Sequence, residues 1–165
     1  MMATRSSRPL SRFAALAPLG LTLGLALAAC SPTAPPGVDR DDLDDAVSHA
    51  VGDPNTCVMI AEAGSGKVVY RYNSATTCVQ EWPACDQPKS IKLRVLLEAV
   101  AKDRQHRRLS CNTTADASRG VGWAAGPIAG TQLVYAAVME GDRAFPGRMM
   151  AERLDGAFRR AKVSK

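Results

Sequence analysis

The residues best able to perform chemistry in this chain are its serines, two histidines and five cysteines. A serine becomes a nucleophile when a neighbouring base takes its proton, and a lysine three residues later on a helix is one such base. No serine in the sequence is followed by a lysine at that spacing. Ser90 precedes Lys92 by two positions, and on a helix the two side chains would point apart. The sequence therefore lacks the signature of a serine nucleophile with a lysine base.

The histidines and cysteines form no recognisable catalytic or metal-binding set. His49 falls near the polar side of a predicted helix and His106 lies in a basic run, and neither has an identifiable serine or cysteine partner. No C-x-x-C pair occurs in the chain, which disfavours a zinc site. We therefore predict neither a metal nor a cofactor.

The first 30 residues resemble the export signal of a bacterial lipoprotein. Three arginines precede an apolar run over residues 13–29, which is followed by Cys30. The run contains Pro18 and is short for a transmembrane helix. This lipobox resemblance implies that residues 1–29 are removed and that Cys30 carries acyl chains such as palmitate, which anchor the protein. The alternatives are an uncut membrane helix and an ordinary signal peptide with a chance cysteine.

The residues after Cys30 indicate where the protein is located and which partners it has. Ser31, by resemblance to lipoprotein sorting rules, favours the outer membrane of a Gram-negative bacterium, with the protein facing the periplasm. Residues 30–38 are proline-rich and indicate a short tether. Loss of the three signal-peptide arginines lowers the net charge from +5 to +2, so we expect no nucleic-acid partner. We expect a single domain over residues 39–165. Its partners would be the membrane, through the lipid, and an envelope protein or peptidoglycan.

The four remaining cysteines predict two disulfide bonds, because the bacterial envelope is oxidising. The composition does not decide which cysteines pair. Proximity along the chain favours Cys57 with Cys78 and Cys85 with Cys111.

Hydrophobic periodicity predicts three helices and two hairpins, in the order helix, hairpin, helix, hairpin, helix. Asp39 is the predicted N-cap of the first helix, and Ser90 that of a second helix ending near Lys102. The strands are predicted at residues 56–62, 67–72, 120–127 and 131–140, and the last helix at residues 148–162. These elements predict an α+β fold, an antiparallel sheet of two hairpins with the terminal helices packed on one face.

Several short segments have both a functional and a structural interpretation. Residues 64–67, Gly-Ser-Gly-Lys, lack other positions of a phosphate-binding loop and indicate a hairpin turn. The acidic residues 41–44 indicate a solvated first helical turn in preference to a cation site. The basic run at residues 102–108 is either a solvated helix end or a patch for anionic lipid or peptidoglycan. Trp82 and Trp123 favour core packing over sugar stacking.

Two segments resemble the penicillin-recognising serine hydrolases, the family of β-lactamases and transpeptidases. Residues 64–73, GSGKVVYRYN, resemble the first hairpin of that family. Residues 121–142 resemble its closing strands, most like those of class D β-lactamases. The resemblance covers about half of the mature chain. It implies that the C-terminal hairpin lies beside the N-terminal one, with both terminal helices on the same face of the sheet.

The catalysis of that family rests on three sequence elements, which this chain meets only in part. Ser-x-x-Lys is absent, whereas Ser110 and Asn112 fit the Ser-x-Asn element. Residues 118–120, Ser-Arg-Gly, stand closest to the Lys-Thr-Gly element. The chain is also too short for the helical domain that forms the other wall of the family's cleft.

We therefore expect an envelope lipoprotein whose small β-lactamase-like domain is non-catalytic and acts in binding or structure. The alternative is a residual penicillin-recognising serine hydrolase that uses Ser90 or Ser110. A third interpretation is a sensor-like α+β sheet whose likeness to lactamases is coincidental, and the order of the strands separates it from the first two.

Overall fold

The computed structural model describes residues 34–73 and 77–164. The helices are α1 (Arg40–Val51), α2 (Leu93–Asp103) and α3 (Gly147–Arg160). The strands are β1 (Thr56–Glu62), β2 (Val68–Tyr72), β3 (Glu81–Pro83), β4 (Ser90–Lys92), β5 (Arg107–Asn112), β6 (Gly120–Pro127) and β7 (Leu133–Gly141). The predicted signal peptide, Cys30 and the first residues of the predicted tether lie outside the described residues.

The main sheet is antiparallel and has five strands in the order β2-β1-β7-β6-β5. Strand β1 therefore lies beside β7, which brings the N-terminal hairpin against the C-terminal one. Strands β3 and β4 form a separate two-stranded hairpin. The predicted α+β class is confirmed. The predicted count of four strands was wrong, because β3, β4 and β5 were not expected.

The two faces of the sheet carry separate apolar clusters. Helices α1 and α3 pack on one face, against residues that include Ile60 and Tyr135. Helix α2 packs on the other face, against residues that include Met59 and Ala136. Neighbouring residues of a strand point to opposite faces, so continuous apolar runs in β1 and β7 supply both clusters. The terminal helices share one face, as predicted.

Helix α1 begins where its sequence indicates. The Asp39 carboxylate accepts hydrogen bonds from the backbone N–H groups of Asp41 and Asp42, at 2.9 and 3.0 Å. These bonds satisfy donors that a helix N-terminus leaves free. Asp41 and Asp42 are exposed on the first turn, as the structural interpretation predicted, whereas Asp44 accepts a hydrogen bond from the Tyr70 hydroxyl at 2.7 Å.

The start of α2 differs from the prediction. Ser90 does not cap a helix, because Ser90–Lys92 pairs as a strand with Glu81–Pro83. The helix begins at Leu93, with Lys92 at the N-cap position and no side-chain cap bond. Residues 90–92 form a strand because they pair with β3, which lies earlier in the chain. Helical periodicity in the sequence cannot reveal such pairing.

Strand β5 was predicted as a helix end and a loop. Its burial alternates, with Arg107, Leu109 and Cys111 partly buried and the residues between them exposed. This period of two is typical of a half-buried strand. The arginines and polar residues of the segment hid the pattern, because strands are usually recognised by apolar β-branched and aromatic residues.

The Gly-Ser-Gly-Lys segment forms the turn between β1 and β2, as predicted. Gly64 and Gly66 have φ angles of 83° and 67°, which glycine adopts without steric cost. No helix within the described ranges is long and apolar enough to cross a bilayer.

Candidate functional site

The Ser-x-Asn residues lie on the edge strand β5 and point away from α2. Cys111 packs into the apolar cluster beneath α2. Because strand side chains alternate, Ser110 and Asn112 face the side of the sheet that carries α1 and α3. There they line a shallow depression of about 270 Å³, closed by residues 144–146 before α3.

Ser90 lies on the other side of the sheet. It is exposed on β4, in the small hairpin whose Trp82 and Ile91 pack against the cluster beneath α2. The structure therefore does not bring Ser90 together with Ser110 and Asn112. Two of the predicted catalytic candidates share one face, and the third is on the opposite face.

Ser90 and Lys92 do not point apart, contrary to the prediction from the sequence. The segment is a strand and not a helix, so both side chains point to the same side, away from Ile91. Both are exposed, and no hydrogen bond joins them. A serine in water beside an exposed lysine lacks the desolvated environment that activates a lysine base.

The β3–β4 hairpin fills the space over β5 and β6 on the α2 side. The indole N–H of Trp123 donates to the carbonyl oxygen of Pro83 at 2.8 Å, and Trp123 is 1% exposed. The disulfide between Cys85 and Cys111 joins the same hairpin to β5. Core packing of Trp123, the interpretation favoured from the sequence, is therefore confirmed, and a tryptophan and a covalent bridge occupy this region.

Both predicted disulfides are present. Cys57 pairs with Cys78 across 21 residues, and Cys85 pairs with Cys111 across 26. The first holds the segment after β2 against β1. The second holds the small hairpin against the edge strand.

Arg119, the cation of the Ser-Arg-Gly tripeptide, forms an ion pair within the fold. Arg119 binds both carboxylate oxygens of Glu140, with its Nε at 3.0 Å and an Nη at 2.7 Å. Thr113 donates a further hydrogen bond to the same carboxylate, at 3.1 Å. Glu140 is 4% exposed, so Arg119 is the counter-ion of a buried acid.

The basic residues of the run at 102–108 have different partners in the structure. Arg104 donates to the Gln132 side chain and to the Thr131 carbonyl oxygen, and Arg107 pairs with Asp103. The hydrogen bond from Arg107 is the main cause that lowers the pKa of Asp103 to about 2. These two arginines are bound to the protein, which weakens the interpretation of the run as a patch for anionic lipid.

His106 lines a polar cavity under α3, which we call the α3 cavity. It has a volume of about 230 Å³, and its polar lining comes from His106, Asp155, Arg159 and Ser164. Its apolar lining comes from residues 127–129 and Phe158. The His106 ring packs directly on Gly126, where any side chain would overlap it.

Tyr135 lies on β7 behind Phe158, a residue that lines this cavity. It is the register partner of Gly126, and its ring packs edge-on against Phe158 at 5.2 Å between centroids. Burial, and then the charge of Asp155, raise the pKa of Tyr135, whereas Arg108 opposes the shift. Tyr135 is fully buried, and its hydroxyl has no hydrogen-bond partner among the described residues.

Asp155 is the acidic member of the α3 cavity. Burial is the largest effect on its carboxyl and raises its pKa, against the opposing charges of Arg108, His106 and Arg159. Within the described part of the chain the carboxyl forms no ion pair, and the buried Ser164 hydroxyl likewise has no partner. Buried polar groups are nearly always hydrogen-bonded in folded proteins. Two of the five buried side-chain atoms without a partner in the described structure, those of Ser164 and Tyr135, therefore lie in or beside the α3 cavity.

The sequence indicated His106 and Arg108 only as part of a basic run, and it did not single out Asp155, Tyr135 or Ser164. The one available signal was the hydroxyl of Tyr135 within an otherwise apolar strand. His49, the other histidine, is exposed on α1, where a ring nitrogen lies 3.1 Å from the Asp45 carbonyl oxygen. It has no part in the cavity.

No family model, curated protein or solved structure matches this chain. Among the described residues, no group of three or more histidine, cysteine or acidic side chains could hold a metal ion.

Proposed function

We propose that the protein is an envelope lipoprotein, anchored through lipid at Cys30, whose small β-lactamase-like domain is non-catalytic and acts in binding or structure. The observation that carries the non-catalytic part is the separation of Ser90 from Ser110 and Asn112. A serine hydrolase of this type needs its nucleophile and its hydrogen-bonding partners in one cleft. Here the sheet lies between them.

The strand order supports the likeness to the penicillin-recognising family. The C-terminal hairpin lies beside the N-terminal strand β1, and α1 and α3 share one face of the sheet. This is the arrangement expected of a lactamase-like domain. The space on the α2 side is filled by Trp123 and the disulfide-linked hairpin, which supports a loss of the cleft.

The non-catalytic assignment is tested with a fluorescent penicillin. The full-length chain, in detergent micelles and with its disulfides oxidised, is incubated with the probe, and its intact mass is measured. We expect no covalent adduct, because no hydrogen bond joins Ser90 or Ser110 to a basic side chain in the described structure. A stoichiometric adduct that disappears in Ser90→Ala or Ser110→Ala, and persists in the exposed-serine control Ser48→Ala, would refute the proposal.

A residual serine hydrolase is the second candidate, and the shared side of Ser90 and Lys92 on β4 is the observation that favours it. In that case the adduct forms on Ser90 and is lost in Lys92→Met as well as in Ser90→Ala. The exposure of both side chains argues against this candidate.

The lipid anchor is tested in cells. Metabolic labelling with an alkyne analogue of palmitate is expected to mark the wild-type chain and to leave a Cys30→Ala variant unlabelled. Fractionation of the labelled cells then tests the outer-membrane location. Equal labelling of the variant would contradict lipidation at Cys30.

A further inference from the structure

We propose that the α3 cavity binds a small zwitterion of the α-amino acid type, with the ligand ammonium at Asp155 and its carboxylate towards Arg159 and His106. This inference rests on the binding role proposed above and names the class of ligand. It concerns the face of the sheet that carries α1 and α3, away from the exposed Ser90.

A polar occupant is favoured because one lining group of the cavity, and a second group close to it, are not satisfied by the fold itself. The Tyr135 hydroxyl is fully buried without a partner, and the Ser164 hydroxyl is buried without one in the described structure. Each such group carries a desolvation penalty unless something hydrogen-bonds to it. Both hydroxyls belong to the neighbourhood of Asp155 and Phe158, which line the same cavity.

The charges around the cavity select the kind of ligand. The Asp155 carboxyl is the single acid among the lining residues, and Arg159 and His106 line the cavity with it. Arg108 is exposed on β5, on the same face of the sheet, and it is not one of the lining residues. A divalent cation would meet too few carboxylates, and a phosphate dianion would be repelled by Asp155. One carboxylate and one ammonium on the same molecule match both signs.

The size and the apolar wall limit the rest of the ligand. A volume of about 230 Å³ is far above the roughly 15 Å³ that one water needs, so more than a single bridging water fits. Ile128 and Phe158 form an apolar side suited to a short aliphatic side chain. Valine meets these requirements and is a suitable probe.

Binding is measured by titrating the ¹⁵N-labelled full-length chain, in detergent micelles, with L-valine or D-valine and following amide chemical shifts. Isovalerate, which lacks the ammonium, and isobutylamine, which lacks the carboxylate, are titrated in parallel. We expect shifts at Gly126 and Ser164. We also expect affinity for one enantiomer of valine to be at least about tenfold higher than for either half-ligand, since each half-ligand loses a charged hydrogen bond.

Two variants and a control assign the binding to this cavity. Asp155→Asn is expected to weaken valine binding at least about tenfold and to leave isovalerate binding unchanged. Ser164→Ala removes the buried hydroxyl that lines the cavity, and it is expected to weaken valine binding as well. Asp142→Asn, an exposed carboxyl outside the cavity, is expected to bind valine as the wild type does. Thermal unfolding confirms that each variant is folded.

The proposal is overturned if valine causes no shifts at tens of millimolar, in which case the cavity holds water only. It is also overturned if Asp155→Asn binds valine as the wild type does. The penicillin experiment is separate. If valine does not bind and no penicillin adduct forms, the ligand assignment is wrong and the non-catalytic role stands. If a penicillin adduct forms, the non-catalytic role is wrong, and the valine titration still tests binding in the cavity.

Discussion

Arg119 and Glu140 form a two-point ion pair between the start of β6 and the end of β7, with contacts of 3.0 and 2.7 Å. The acid is almost fully buried and the arginine is 43% exposed. The pair is therefore asymmetric, since water can solvate a freed Arg119 but not a freed Glu140. The cation that the sequence placed nearest to a Lys-Thr-Gly element is used to neutralise a carboxylate of its own fold.

Removal of Arg119 is expected to destabilise the protein more than removal of the charge on Glu140. Arg119→Met leaves a buried carboxylate with Thr113 as its remaining partner, whereas Glu140→Gln leaves a cation that turns to solvent. Equilibrium denaturant unfolding of the two variants measures the difference. Equal losses of stability, or a larger loss for Glu140→Gln, would contradict this asymmetry.

Two glycines of α3 are expected to respond in opposite directions to alanine. A Cβ on Gly147 would overlap the Trp123 carbonyl oxygen and the Leu109 backbone, so Gly147→Ala should cost about 1–3 kcal/mol. A Cβ on Gly156 would meet only flexible arginine side chains, so Gly156→Ala should stabilise by about 0.5–1 kcal/mol. The free energies of unfolding of both variants, from denaturant titration, check the prediction. Effects of the same sign would show that the approach of α3 to the sheet is looser than described.

The disulfide between Cys85 and Cys111 is expected to contribute about 3.5 kcal/mol, because it closes a loop across 26 residues. A Cys85→Ala, Cys111→Ala double variant removes it without leaving a free thiol from the pair. Denaturant unfolding measures the loss, and Trp123 fluorescence reports whether the small hairpin still covers the indole. The matched Cys57→Ala, Cys78→Ala variant opens a loop of 21 residues, and a similar loss of about 3.3 kcal/mol is expected. Unchanged stability in the Cys85–Cys111 variant would contradict a stabilising role for that bridge.

Asp155 is expected to make the stability of the protein fall as pH rises. Burial raises the pKa of this carboxyl in the folded state, against Arg108, His106 and Arg159, while Glu152 reinforces the shift. Its protonated form is therefore favoured by folding, and that contribution is present below the ordinary value of about 4 and is lost as pH rises through the raised pKa. Asp155→Asn cannot ionise, so its melting temperature should exceed that of the wild type at pH 7 and match it near pH 3.

The control for this titration is Asp142→Asn, since Asp142 is an exposed carboxyl outside the cavity. Its difference from the wild type is expected to stay small at both pH values. The idea fails if Asp155→Asn melts below the wild type at pH 7 in the absence of ligand, because that result would mean that the carboxylate stabilises the fold.

The sequence by itself determined the elements whose apolar residues recur with a regular period. Helices α1 and α3 and strands β1, β2, β6 and β7 were all expected near their observed positions, and Asp39 caps α1 as predicted. Local spacing is sufficient here because each element buries one face, or both, in the apolar clusters. Proximity along the chain was also sufficient for the two disulfide pairings.

The tertiary structure decided what depends on partners far along the chain. Strands β4 and β5 exist because β3 and β6 pair with them, and their own residues are too polar to indicate strands. Pairing of β4 put Ser90 and Lys92 on one side, and the alternation of β5 put Ser110 on the other face. The α3 cavity likewise assembles His106, Ile128 and Asp155 from three separate segments of the chain. The spacing of residues in the sequence cannot predict such a site, because the burial and the neighbouring charges arise only when α3 packs on the sheet.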